Sequence, residues 1–292
     1  MSRQGTIVEP TVDGQIMFNG FAMGADTPYS WVQLDGWDDM PGIDSGNRPR
    51  PGQHGSWAGT KYYQERIITL AGRIKGDPAS YAALVSALRR ATALPEDDAE
   101  FPFVVRKDGI SEVSWAVCTS RVIPNNKEYR VGLGQYALQF VASDPNIYSA
   151  QPAAPVSMGV GTGSGGLVFP LVFPLDFGTP AKPATATAVN TGETSTPTVI
   201  VINGPATNPT LWNATAGKRL GFDLVMVVGE TLTIDTAAGT ALLDGADRRY
   251  LRSADSGPIT DFTLKPGNND LTFFVSGGDS NTLATVTWYN AR

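Results

Sequence analysis

Side chains able to do chemistry are few in these 292 residues: one histidine, one cysteine and two short runs of carboxylates. His54 lies in Pro51-Gly52-Gln53-His54-Gly55, and a Ser-His-Asp triad or an imidazole metal site would have to run through it alone. It reads as an exposed loop residue. Cys118 stands in the run Trp115-Ala116-Val117-Cys118 without a cysteine partner, which excludes an intrachain disulfide and a cysteine zinc site. It reads as a small buried hydrophobe. Asp35, Asp38, Asp39 and Asp44 form one carboxylate cluster, and Glu96, Asp97, Asp98 and Glu100 form another. Paired carboxylates serve glycoside hydrolysis and calcium binding, yet neither run has EF-hand spacing and both read as solvated loops. Gly159–Gly166 has the glycine content of a phosphate cradle, but prolines flank it and the Lys-Ser/Thr pair is missing. Trp212, Asn213, Lys218 and Arg219 could give a sugar an aromatic platform with polar groups, or Trp212 could be a core or rim aromatic. No catalytic, cofactor-binding or metal-ligating residue is assigned. The chain is expected to be no enzyme and to need no cofactor.

The elements that would position these residues are mostly strands. A hydrophobic share of 41 % against 17 % charged describes a globular chain, and its length allows two cores. The 32 glycines and 21 prolines suit the many turns of β folds. Residues 1–150 hold 14 cations against 17 carboxylates and residues 151–292 hold 8 against 11, so neither half has the basic footprint that grips nucleic acid or anionic membrane. The opening MSRQGTIVEP lacks an apolar h-region, and no apolar run approaches the ~20 residues of a membrane span. Synthesis in a cytosol, without membrane insertion, is expected.

Residues 1–149 are expected to form a β-rich domain with one helix. Strands are predicted at Thr6–Val8, Gln15–Phe18, Ser30–Leu34, Glu65–Ile74, Phe101–Arg106, Val113–Ile123 and Tyr129–Val141 from period-two alternation. Asp77-Pro78 predicts a helix start, Tyr81, Leu84, Val85 and Leu88 recur at helical spacing, and Pro95 closes the segment. Gly36–Thr60 reads as a long irregular loop, a length that usually marks contact or function. Residues 150–185 form a Pro/Gly-rich arm. Its Leu167, Phe169, Leu171, Phe173, Leu175 and Phe177 alternate among prolines, so it is expected to lie extended on a surface. Residues 186–292 show short strands at regular spacing, including Lys218–Val227 and Thr260–Leu264, the rhythm of a sandwich or jelly roll.

Three stretches of the second half, NTGETSTPTVIVINGPATNPTLWN, GETLTIDTAAGTALLDG and LKPGNNDLTFF, resemble in order and spacing the C-terminal domain of siphophage distal tail proteins. The arm GSGGLVFPLVFPLDFG, the SDPNIYS of residues 143–149 and YYQERIITLAGRIKG before the helix are similar to that family too. The resemblance implies a mainly β fold: an N-terminal tail-tube-like β-sandwich or barrel with one helix, then a galectin-like β-sandwich. It implies a virion structural protein forming a homohexameric ring at the distal end of the tail. Its partners would be the tail tube protein, the tail-tip hub protein, and side fibres or receptor-binding proteins, with DNA only passing through the lumen. An acidic loop of the first domain is expected to face that channel, because acidic walls do not grip phosphate. The alternatives are a carbohydrate-binding adhesion module acting through the C-terminal sandwich, and a polysaccharide-degrading enzyme using paired carboxylates.

Overall fold

Period-two alternation becomes sheet throughout residues 2–160 and 184–292, which this computed structural model describes. The chain divides into two units, residues 1–150 and 151–292, each around its own core.

In the first unit the main strands are β1 (Gln15–Phe18), β2 (Phe21–Gly24), β3 (Tyr29–Asp35), β4 (Arg66–Lys75), β5 (Ala99–Lys107), β6 (Ile110–Val122) and β7 (Leu133–Ala142). Their order is β2-β1-β5-β6-β7-β4-β3, antiparallel throughout. β6 divides its length between two neighbours. Residues 110–116 pair with β5, residues 117–122 pair with β7, and a bulge between Cys118 and Ser120 turns the corner. β2 and β3 lie at opposite edges yet are joined by residues 25–28, a link spanning at most ~17 Å. The sheet must therefore curl until its edges approach, although among the described residues no ladder closes it into a barrel. Inside, Phe140 lies 4.7 Å from Phe18 and 4.8 Å from Phe103, ring centre to ring centre. The helix α1 (Tyr81–Ala91) adds Val85 and Leu88 to this core. At its C-terminus the Arg121 guanidinium donates to the Arg89 and Thr92 carbonyls, which would otherwise lack partners.

Several expected boundaries differ. Asp77-Pro78 forms a turn that feeds the helix: the Asp77 carbonyl accepts from the Ser80 and Tyr81 amides, and α1 begins at Tyr81. Thr6–Val8 is not a strand; Ser2–Arg3 pairs with Ala99–Glu100 instead. Tyr129–Val131 lies in a 3-10 turn, Lys127–Val131, closed by Gly132 at φ 74°. β2 was not predicted, although Asn19 (φ 47°) and Gly20 (φ 79°) make the two-residue hairpin turn that such a pair favours.

The second unit stacks two antiparallel sheets. Its strands are β8 (Val156–Gly159), β9 (Thr185–Asn190), β10 (Thr196–Asn203), β11 (Thr210–Asn213), β12 (Lys218–Gly221), β13 (Thr231–Asp235), β14 (Thr240–Leu243), β15 (Gly267–Phe274) and β16 (Leu283–Trp288). One sheet runs β8-β16-β10-β13-β14 and the other β9-β15-β11-β12. Ile200, Ile202, Ile234 and Val286 of the first meet Leu211, Leu220, Leu271 and Phe273 of the second in one core. The predicted strand Lys218–Val227 divides, because Val225–Met226 leaves β12 to pair with Ala206–Thr207. Thr260–Leu264 divides as well: Thr260 and Asp261 lie in a 3-10 turn, Ile259–Asp261, whereas Thr263–Leu264 pairs with Thr196–Pro197. The expected arm contributes its front to this unit, since β8 pairs with β16; Leu167 to Phe177 lie outside the described residues.

Three buried amides, Asn190, Asn213 and Asn269, stand in the motif stretches of this half and hold their turns. Asn190 donates to the Thr194 and Leu264 carbonyls and accepts from the Gly192 amide. Asn213 donates to the Thr263 carbonyl and the Asn269 side chain, and Asn269 in turn joins Lys265 to Gly267. Each satisfies turn backbone that water does not reach. The fold is mainly β, a sandwich with one helix followed by a second sandwich.

Candidate assembly interface

Between β3 and β4 the expected irregular loop is a two-stranded ribbon. Ile43–Ser45 pairs with Lys61–Tyr63, and Arg48–Pro49 with Ser56–Trp57. The strands pass so close that a Cβ on Gly59 would lie 2.1 Å from the Gly46 carbonyl oxygen. A lone ribbon of this kind is marginal in water, and it carries an apolar load: Met40, Ile43, Trp57, Tyr62 and Tyr63 are 44–68 % exposed. A cleft of ≈ 580 Å³ at its base is lined by Met40, Asp44, Tyr62, Tyr63 and Glu65, among others. Such a surface asks for a cover.

The base is held firmly. Arg66, the first inward position of β4, is 6 % exposed. Its guanidinium donates to the carbonyls of Gly36 (2.7 Å), Trp37 (3.0 Å), Asp39 (2.9 Å) and Pro145 (2.7 Å). One side chain thus ties the start of the ribbon to the 143–149 turn. Asp39 accepts from the Gly36 amide at 2.8 Å, and Trp37 packs 5.6 Å from Phe103. The turn has its own lock. Asp144 pairs with Arg3 at 2.7 Å and accepts from the Tyr148 hydroxyl at 2.6 Å, while the Arg3 guanidinium lies over Trp115 and Tyr148. Burial first, and the Asp144 carboxylate second, push the Tyr148 phenol up to about 12.

The residues singled out in the sequence are not gathered into one site. His54 is exposed in the turn at the tip of the ribbon. Cys118 is buried, and burial raises its thiol although Arg121 opposes the shift. Asp35 accepts from the Gln33 amide, Asp38 pairs with Lys107 at 3.4 Å, Asp39 caps Gly36 and Asp44 lines the cleft. Glu96, Asp97 and Asp98 are exposed, whereas Glu100 is buried and accepts from Ser143. The reading of both runs as solvated loops therefore fails at Glu100, whose β5 neighbours carry it inward. Among the described residues no cluster of His, Cys, Asp and Glu could hold a metal, and no helix is long and apolar enough to cross a membrane. Of the four residues suited to a sugar, Trp212 is exposed beside Arg219, which pairs with Asp255, and Lys218 pairs with Asp261. Asn213 is fully buried in the turn network and unavailable. Gly159 is in β8, and 161–166 lie outside the described residues.

Arg66 escaped the sequence reading, yet it left a signal: it shares strand parity with the inward Ile68, Leu70 and Ile74. A charge in that register needs buried partners.

Residues 191–291 match the family described as siphovirus-type tail component, C-terminal domain. Among solved structures the chain is similar to the SPP1 Dit protein, described as a paradigm of the hub adsorption apparatus in phages infecting Gram-positive bacteria. The TM-score is 0.64 at 16 % identity, covering 95 % of this chain and 98 % of that one. The phage P2 baseplate in its activated conformation with calcium gives 0.51 at 9 % identity over 91 % of each chain. Its form with strontium gives 0.52 at 9 % identity, covering 95 % and 97 %. No curated protein matches by sequence. Residues 191–291 thus match the C-terminal domain of siphovirus-type tail components, and along its length the chain has the fold of the SPP1 Dit protein.

Proposed function

We propose that this tail protein acts as a homohexameric ring at the distal end of the phage tail. The first unit joins copies, the ring lies between the tail tube and the tip hub, and the second sandwich offers a platform for fibres or receptor-binding proteins. The observation that carries this reading is the ribbon of residues 36–65. It projects from a rigidly pinned base with five large apolar side chains in water, each worth about 1.5–3 kcal/mol if a neighbour buried it. An element of that kind is built for contact with another chain. The reading requires no substrate, and Glu100 and Asp38 are already engaged by Ser143 and Lys107.

Light scattering on the purified chain tests it. Six chains of 31.0 kDa make a particle of about 190 kDa, and labelled antibody should find the protein at the tail tip in micrographs of intact particles. A protein absent from purified particles would end the proposal.

A further inference from the structure

The ribbon base needs a counterpart, and one lies at the far end of the same strand. β4 begins at Arg66, beside the ribbon, and ends at Lys75, about 30 Å away at ~3.3 Å per residue. At that end sits the turn Lys127–Val131 leading into β7. Tyr129, Val131 and Leu133 are 47 %, 63 % and 40 % exposed there. Lys127 and Arg130 flank them, and Lys75 and Arg73 face Leu133 and Gln135 across the ladder. Two acids, Asp77 and Glu128, lie nearby, so the patch stays net basic. The ribbon base is net acidic: Met40, Ile43, Tyr62 and Tyr63 stand with the carboxylates of Asp44 and Glu65, and the exposed Asp39 and Lys61 beside them cancel in charge. Among the described residues, neither those two carboxylates nor the side chains of Arg73, Lys75, Lys127 and Arg130 have an ion-pair partner.

We infer that the acidic, apolar ribbon base of one copy docks on the basic, apolar turn 127–133 of the next. This rests on the ring reading above and names the surface the ribbon meets. The two patches stand at opposite ends of one strand, so a chain cannot bring its own base to its own turn, whereas a second copy supplies it. Each copy then gives one patch and receives the other, a heterologous contact that repeats around a closed ring. Complementary charge steers the approach and fixes register, while the aromatic and aliphatic side chains supply the buried area.

The test uses the full chain in two charge-reversed forms, Asp44→Lys/Glu65→Lys and Lys127→Glu/Arg130→Glu, measured by light scattering over a dilution series. All four positions are exposed, so both forms should unfold at the wild-type temperature. Each alone should dissociate at a concentration at least tenfold above wild type, because its ribbon base and its turn now carry like charge. Mixed in equal amounts they should reassemble, since the ribbon of either then finds an opposite turn on the other. Wild-type assembly by both separate forms, or a mixture that stays apart, would overturn the docking while leaving the ring itself standing. A wild-type chain that remains monomeric at all concentrations would remove the ring reading and this contact together.

Discussion

Removing a guanidinium that spreads among four backbone carbonyls leaves each of them without a donor, and Arg66 occupies such a place. Arg66→Ala is expected to cost the first unit about 2–4 kcal/mol. Arg66→Lys should recover less than half, because an ammonium cannot fan out to both Pro145 and the 36–39 carbonyls. Urea unfolding of the full chain measures both, and an alanine variant as stable as wild type would discount the pin. Tyr148 adds a pH dependence. Its phenol is raised from 10.0 to about 12 when folded, so the unfolded chain sheds the proton first. Stability is thus intact below pH 10 and falls as pH climbs towards 12, by about 3 kcal/mol from this group. Tyr148→Phe should flatten that decline by one proton's worth, read from unfolding free energies at pH 9, 10 and 11.

At the scale of elements, the ribbon and the helix are opposites. α1 is inside the fold's own accounts: Leu88 is fully buried in the first core, and Leu88→Ala is expected to cost about 2–5 kcal/mol in thermal unfolding. The ribbon is nearly outside them. Trp57→Ser and Tyr62→Ser, both at exposed positions, should shift unfolding by about 0.5 kcal/mol or less. The same two changes should weaken self-association at least tenfold by light scattering, since aromatic anchors dominate interfaces. Equal loss of folding stability in both elements would contradict the division between a packed helix and a ribbon made for contact.

On the scale of the whole molecule, two cores imply two units able to unfold separately. Their boundary is the informative point. β8, Val156–Gly159, pairs with β16 and buries Met158 completely. A fragment of residues 151–292 should therefore fold cooperatively. A fragment of residues 186–292 should lose about 2 kcal/mol or more, because it forfeits Met158 and bares the edge of β16. Circular dichroism melts of the two fragments decide this, and identical midpoints would show that β8 adds nothing.

Strand identity was legible wherever alternation ran long, as in β4, β7 and β10, because inward and outward positions differ in hydrophobicity at period two. The second sandwich was legible from its strand rhythm and turn residues, and within those turns Asn190, Asn213 and Asn269 bond backbone that apolar residues could not satisfy. Composition alone excluded metal and disulfide chemistry built on cysteine or on paired histidines. What the order of residues did not reveal was anything settled by distant partners. Gly36–Thr60 looked irregular because its ribbon pairs in two- and three-residue pieces, too short to alternate. Arg66 looked like one charge among many until the fold wrapped four carbonyls, from residues 36–39 and 145, around its guanidinium. Local pattern follows from the solvent each side chain faces, whereas the pinned base and the opposed patches exist only once the sheet brings remote segments together.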